Sequence, residues 1–132
     1  MNPYIDQAGT KFWYKEGTKI LHREDGPAVE YASGTKFWYL NDKRHRAEEP
    51  AVEWGNGSKE WWFNGKPHRE DGPAIERTDG TRFWYIDGKL HREDGPAIDF
   101  ADETKEWYLH GKKVKISSNE EFLRLIKLKA FL

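Results

Sequence analysis

The chain contains no cysteine. A disulfide staple and a thiolate-held zinc or iron–sulfur site are therefore closed to it. That usage fits a reducing compartment, and a cytoplasmic protein is expected. No run of about 18 apolar residues occurs, so no helical membrane span is expected either. The opening Met1-Asn2-Pro3-Tyr4-Ile5-Asp6 has neither the basic nor the apolar region of a signal peptide. Charge of one sign is also lacking. With 22 Lys+Arg against 23 Asp+Glu, the formal net charge is −1, and no global basic field calls for nucleic acid or an anionic membrane. No glycine-rich phosphate loop leads into a helix, and no nucleophile elbow is present. What the chain has in quantity is rings: seven Trp, seven Phe and six Tyr among 132 residues. Disordered chains are poor in aromatics, so one folded domain is expected, with a core built more from rings than from aliphatics.

An internal repeat organises those rings. Histidines stand at 22, 45, 68 and 91 and prolines at 27, 50, 73 and 96, each 23 residues apart. Trp38, Trp61, Trp84 and Trp107 keep the same step, and Trp13 precedes Trp38 by 25 because the first unit has a longer loop over residues 15–21. Four full units and a truncated fifth fill residues 9–116, after a lead-in at 1–8. In the fourth unit, Thr81 to Ile86 is β-branched and aromatic, as strands are. Asp87-Gly88 is a hairpin dipeptide, Glu93-Asp94-Gly95-Pro96 a second loop, and Ala97 to Phe100 another short strand. The fold class is therefore all-β: an elongated antiparallel β-meander of hairpin repeats, nine or ten strands across and about 45 Å long. No unit has enough apolar residues to fold alone, so neighbours must stack.

Alternation along the strand assigns the faces. Trp13, Trp38, Trp61, Trp84 and Trp107 are expected to line the buried face with Val29, Val52, Ile75 and Ile98. The opposite, wetter face would carry Phe12, Tyr14, Phe37, Tyr39, Trp62, Phe83 and Tyr85. After Lys115 the pattern changes. Ser118-Asn119-Glu120-Glu121 is a capping box, and Phe122, Leu123, Leu125, Ile126 and Ala130 share a helix face opposite Arg124 and Lys127. Residues 117–132 are read as a helix capping the last hairpin; a partner-binding or dimer helix is the other reading.

A β-hairpin unit of this length, with aromatic strands and turns spelled Asn64-Gly65-Lys66, Asp87-Gly88-Lys89 and His110-Gly111-Lys112, resembles the MORN repeat and the repeats of YwqK-type antitoxin-like proteins. Asn41-Asp42-Lys43 is a degraded copy. The spelling His-Arg-Glu-Asp-Gly-Pro-Ala, at 22–28, 68–74 and 91–97, is similar to repeats in short phage and giant-virus proteins. The resemblance spans residues 9–116 and implies a scaffold or binding surface. Where MORN units have Tyr-Glu-Gly after the turn, this chain has His-Arg-Glu-Asp-Gly.

The His-Arg-Glu-Asp loops invite a metal or acid–base reading. Equivalent histidines of successive units lie about 9.5 Å apart, too far to share a zinc bound at about 2 Å. A structural ladder is preferred: Arg23, Arg46, Arg69 and Arg92 pair with loop carboxylates, while His22, His45, His68 and His91 pack at the loop base or bond backbone. A ligand-binding ladder is the alternative; no metal, cofactor or catalytic residue is assigned. The second unit reads His45-Arg46-Ala47-Glu48-Glu49-Pro50 and loses the glycine of its neighbours, so Glu49 is expected to be strained if that glycine needs positive φ. Arg46 and Glu49 are therefore candidate site residues. Lys11, Lys36, Lys59, Arg82 and Lys105 form a basic row beside the rings; as many carboxylates accompany it, and a solvated face is preferred to a single-stranded nucleic-acid platform. The expected function is a non-enzymatic protein-binding module, on the viral likeness an inhibitor of a host or defence protein. A small-ligand, nucleotide or nucleic-acid binder is the second class, and homodimerisation stays open through the sheet edges.

Overall fold

The computed structural model describes residues 2–130; positions 1, 131 and 132, the last two within the expected cap, lie outside the described residues. Eleven short strands form one antiparallel sheet, joined almost in chain order. Tyr4–Ile5 opens it and Lys112–Val114 closes it. Between them each unit contributes two strands, such as Lys36–Phe37 and Val52–Glu53 or Arg82–Phe83 and Ile98–Asp99. Eleven strands at about 4.8 Å make a sheet roughly 50 Å across, close to the expected meander. The lead-in is itself a strand, Tyr4 pairing Phe12.

The second, third and fourth units each hold a third strand that its composition conceals; the first has a single bridge there, Tyr14 to Leu21. Tyr39–Leu40 pairs Lys43–Arg44, Trp62–Phe63 pairs Lys66–Pro67, and Tyr85–Ile86 pairs Lys89–Leu90, as small two-stranded ribbons. Their two-residue turns carry positive φ at both central positions: 49° and 80° at Asn64-Gly65, 48° and 79° at Asp87-Gly88. That is the type I′ geometry, whose twist matches flanking strands.

The register overturns one expectation about the faces. Phe12, Val29, Phe37, Val52, Glu60, Ile75, Phe83, Ile98 and Glu106 are directly opposed partners across nine strands, so they share one face. Val29, Val52, Ile75 and Ile98 therefore stand with the Phe/Tyr residues and not beneath the tryptophans. Val29, Phe37 and Val52 are buried there, with Phe12, Leu21, Tyr39 and Trp62 packed against them. The tryptophans have small partners instead. Trp13 N–H donates to Ala28 O, Trp38 to Ala51, Trp61 to Ala74 and Trp84 to Ala97, each at 2.6–2.8 Å. All four alanines are fully buried. Large and small side chains alternate strand by strand, which leaves each indole room to lie down on the sheet.

The helix Asn119–Lys129 follows with Ser118 as N-cap, its Oγ accepting from Glu121 N–H at 3.2 Å. Glu121 reaches back to Ser117 N–H at 3.1 Å, one residue before the expected capping-box donor. Phe122, fully buried, lies against Trp107 at 6.5 Å between ring centroids, and Asn119 accepts from the Trp107 indole N–H at 3.1 Å. The helix thus closes the tryptophan row, as a cap does.

Candidate functional site

On the tryptophan face every full unit builds one stacked pair. Arg23, Arg46, Arg69 and Arg92 hold their guanidinium carbons 3.9, 4.0, 3.7 and 3.9 Å above the centroids of Trp13, Trp38, Trp61 and Trp84. Nη1 of each donates to the carbonyl of Pro27, Pro50, Pro73 or Pro96 at 3.0–3.1 Å, which pins the loop over the ring. Nε reaches Asp25, Asp71 and Asp94 in three units, and Nη1 also reaches Glu53 or Glu76 in the second and third. The fifth tryptophan has Lys115 where an arginine would fall, and Phe122 covers it instead.

The histidines join one unit to the next. Nδ1 of His22, His45, His68 and His91 accepts the backbone N–H of Asn41, Asn64, Asp87 and His110, the first turn residue of the following unit, at 2.9–3.0 Å. An acceptor at Nδ1 places the ring proton on Nε2. There it faces Glu24 at 3.4 Å and Glu93 at 3.3 Å. At the opposite sheet margin, hydroxyls of Thr35, Ser58 and Thr81 accept from Gly55, Thr78 and Ala101 N–H at the other end of the same unit. The histidine bonds recur at the repeat step and make each unit the template of its neighbour.

The second loop is not strained in the way expected. Gly26, Gly72 and Gly95 are not among the residues at positive φ, and neither is Glu49. Glycine is used for closeness: a Cβ at Gly26 or Gly95 would come within 2.8 Å of the stacked guanidinium carbon. In the altered unit Glu49 accepts from Arg46 Nη2 at 2.9 Å, replacing the aspartate that the other loops supply. The loops leave shallow grooves between them, one of 640 Å³ between the second and third and one of 840 Å³ between the third and fourth. The basic row is matched in the register: Lys11, Lys36, Lys59, Arg82 and Lys105 alternate with Glu30, Glu53, Glu76 and Asp99 across the sheet. Opposite charges face each other at every step.

Comparison with protein-family models, with curated proteins and with solved structures finds no match. Among the described residues, no group of three or more His, Asp or Glu is placed to hold a metal ion. Among the same described residues, no helix is long and apolar enough to cross a membrane.

The other face carries three parallel aromatic rows. The register row supplies Phe12, Phe37 and Phe83. Two residues toward the ribbons stand Tyr14, Tyr39, Trp62, Tyr85 and Tyr108, with Phe12–Tyr14, Phe37–Tyr39 and Phe83–Tyr85 centroids 6.1–6.4 Å apart. The third row, Tyr31, Trp54, Arg77 and Phe100, was not singled out in the sequence although it too recurs every 23 residues. Tyr31 and Trp54 meet Phe37 edge-on at 5.8 and 5.5 Å; Phe100 meets Phe83 at 6.4 Å. Of the expected contact residues Phe37 is buried beneath these rings, while Phe12, Tyr14, Tyr39, Trp62, Phe83 and Tyr85 are half-buried. Tyr4, Tyr31 and Trp54 are the exposed rings, at 61, 43 and 39%. Burial raises the Tyr85 hydroxyl above its ordinary pKa. Burial and then the Glu106 carboxylate, which accepts from the hydroxyl at 3.0 Å, do the same for Tyr108. In the turns, hydrogen bonds from Thr81 and Thr104 hold Asp79 and Asp102 below the usual carboxylate value.

Proposed function

We propose that the chain is a non-enzymatic protein-binding module whose contact surface is the Phe/Tyr face. One observation carries the reading. Each tryptophan of one face is covered by a stacked arginine or by Phe122, whereas on the other face Tyr4, Tyr31 and Trp54 stand exposed. Tyr, Trp and Arg are the residue types that anchor interfaces, and rings presented on a rigid sheet lose little entropy when a partner covers them. The likeness to repeats of short phage and giant-virus proteins extends the proposal: the partner is a host or defence protein, met in the host cytoplasm and inhibited by occlusion. The ladder of Arg and His serves this reading as framework, because its arginine donors already hold Pro carbonyls and carboxylates and its histidine Nδ1 atoms already accept from turn amides.

The test is affinity capture from host lysate with tagged native protein and with Tyr31→Ala/Trp54→Ala, each with and without nuclease. Both rings are exposed, and the far-ultraviolet circular dichroism of the variant checks that it keeps its fold. A stoichiometric protein that survives nuclease and is lost with the variant supports the proposal. Capture of nuclease-sensitive material alone, or capture indifferent to the variant, would transfer the function to nucleic acid or to the other face.

A further inference from the structure

Glu60 stands where three other units have phenylalanine, between Val52 and Ile75 in the aliphatic row. It is half-buried and bound by two indoles: Trp54 N–H donates to Oε2 at 2.7 Å and Trp62 N–H to Oε1 at 2.8 Å. Two neutral donors orient the carboxylate without neutralising it. The other carboxylate of this row, Glu106, has Lys113 Nζ at 3.7 Å; among the described residues no cation lies within 4.0 Å of Glu60. A negative charge set among rings is costly until a cation meets it.

The space beside it suits one. A groove of 420 Å³ is lined by Trp54, Glu60, Ile75, Arg77 and Asp79, among others, and its two carboxylates outnumber its one cation. Arg77 is engaged elsewhere, its guanidinium carbon 4.9 Å over Phe83. The face also displays what such an occupant would look like. Arg44 spans Phe37 and Trp62 at 5.1 and 4.9 Å, with Nε donating to the Tyr39 hydroxyl at 3.3 Å.

We propose that this groove receives an arginine side chain of the protein partner, stacked on Trp54 and hydrogen-bonded to Glu60. The proposal rests on the protein-binding reading of the face and names its specificity element. A planar, weakly hydrated guanidinium can lie on indole and still bond a carboxylate in its plane; a lysine ammonium offers only the point charge.

The test titrates N-acetyl-arginine methylamide into ¹⁵N-labelled protein at low salt and follows the indole N–H resonances. Saturable shifts at Trp54 and Trp62 are expected, not reproduced by the neutral N-acetyl-norleucine methylamide, with affinity about tenfold weaker or worse in Glu60→Gln. Glu60→Phe restores the residue of the other units and should give a dispersed spectrum with no arginine response. No saturable shift, an equal response to norleucine, or unchanged affinity in E60Q overturns the assignment. In the lysate capture, E60Q retaining the partner that Tyr31→Ala/Trp54→Ala loses would leave the face as the interface and remove the arginine. Retention by both removes the face as well.

Discussion

Replacing Arg69 with alanine tests whether the Arg–Trp stacks carry the array. The side chain is 24% exposed and makes four contacts at once. Its stack on Trp61, at 3.7 Å, contributes about 1 kcal/mol. The bond from Nη1 to Pro73 O, 3.1 Å long and charge-assisted, contributes about 1.5 kcal/mol or more. Glu76, at 3.0 Å and 37% exposed, loses its partner at a cost of about 0.5 kcal/mol, whereas Asp71 is 88% exposed and adds little. Together these predict a loss of about 3 kcal/mol and, for a chain of this length, a Tm roughly 10 °C lower. Arg69→Lys keeps the charge but cannot span ring, carbonyl and carboxylate with one fork, so it should recover less than half. Urea unfolding followed by indole fluorescence reads both variants. Because coupling runs only between neighbours, a break at the third unit should also broaden the transition, as the two ends begin to melt separately. A loss under about 1 kcal/mol for R69A, or native stability for R69K, would show that the loops hold without the stack and refute the reasoning.

Phe122→Ala empties a fully buried ring site over Trp107 and should cost about 3–5 kcal/mol, with red-shifted emission as that indole meets water. Glu103 holds φ at 73° where the three preceding units have Gly34, Gly57 and Gly80. Glu103→Gly should therefore stabilise the fold by about 0.5–1 kcal/mol in urea unfolding, and a loss of stability would contradict the strain argument. Two of the six tyrosines, Tyr85 and Tyr108, should ionise last when tyrosinate absorbance is followed into alkali. Their folded pKa values are raised, so that share of stability is complete below the ordinary tyrosine value near 10 and is lost as pH rises beyond it. Tyr85→Phe should remove one late titration.

The repeat, the hairpins and the capping helix could be read from the sequence because each is written locally: a 23-residue step, Asp-Gly turns, a serine three residues before a glutamate. The face assignment failed for a reason equally physical. Alternation says which neighbours within a strand oppose one another, but not which residue of the next strand lies across from them. That is set by loop length, and a slip of one residue exchanges the faces. Here the loop places Ala28 and not Val29 across from Trp13. The strands Lys43–Arg44, Lys66–Pro67 and Lys89–Leu90 were missed because they lack the branched and aromatic residues that mark strands. The Arg–Trp stack did leave a signal, an arginine eight residues after Trp38, Trp61 and Trp84 and a lysine at that distance from Trp107. A tight turn separates the two, so no single helix or strand carries both and no periodicity rule draws the eye to the pair. Glu60 was visible as a departure from phenylalanine; the two indoles that make it a site come from different strands.

The joints between units bear on how such a chain can change in length. Every histidine–amide bond connects a unit only to the one beside it, while each hydroxyl–amide bond and Trp–Ala pairing closes within its own unit. A duplication or loss of 23 residues anywhere inside the array therefore rejoins surfaces that already fit, and only the binding face grows or shortens. A change of another size is tolerated where a loop absorbs it, as the two extra residues of the first unit are, and shifts the register where it falls within a strand. Genes for such arrays should accordingly vary in whole units while the terminal helix, which seals the last tryptophan, travels unchanged with the end.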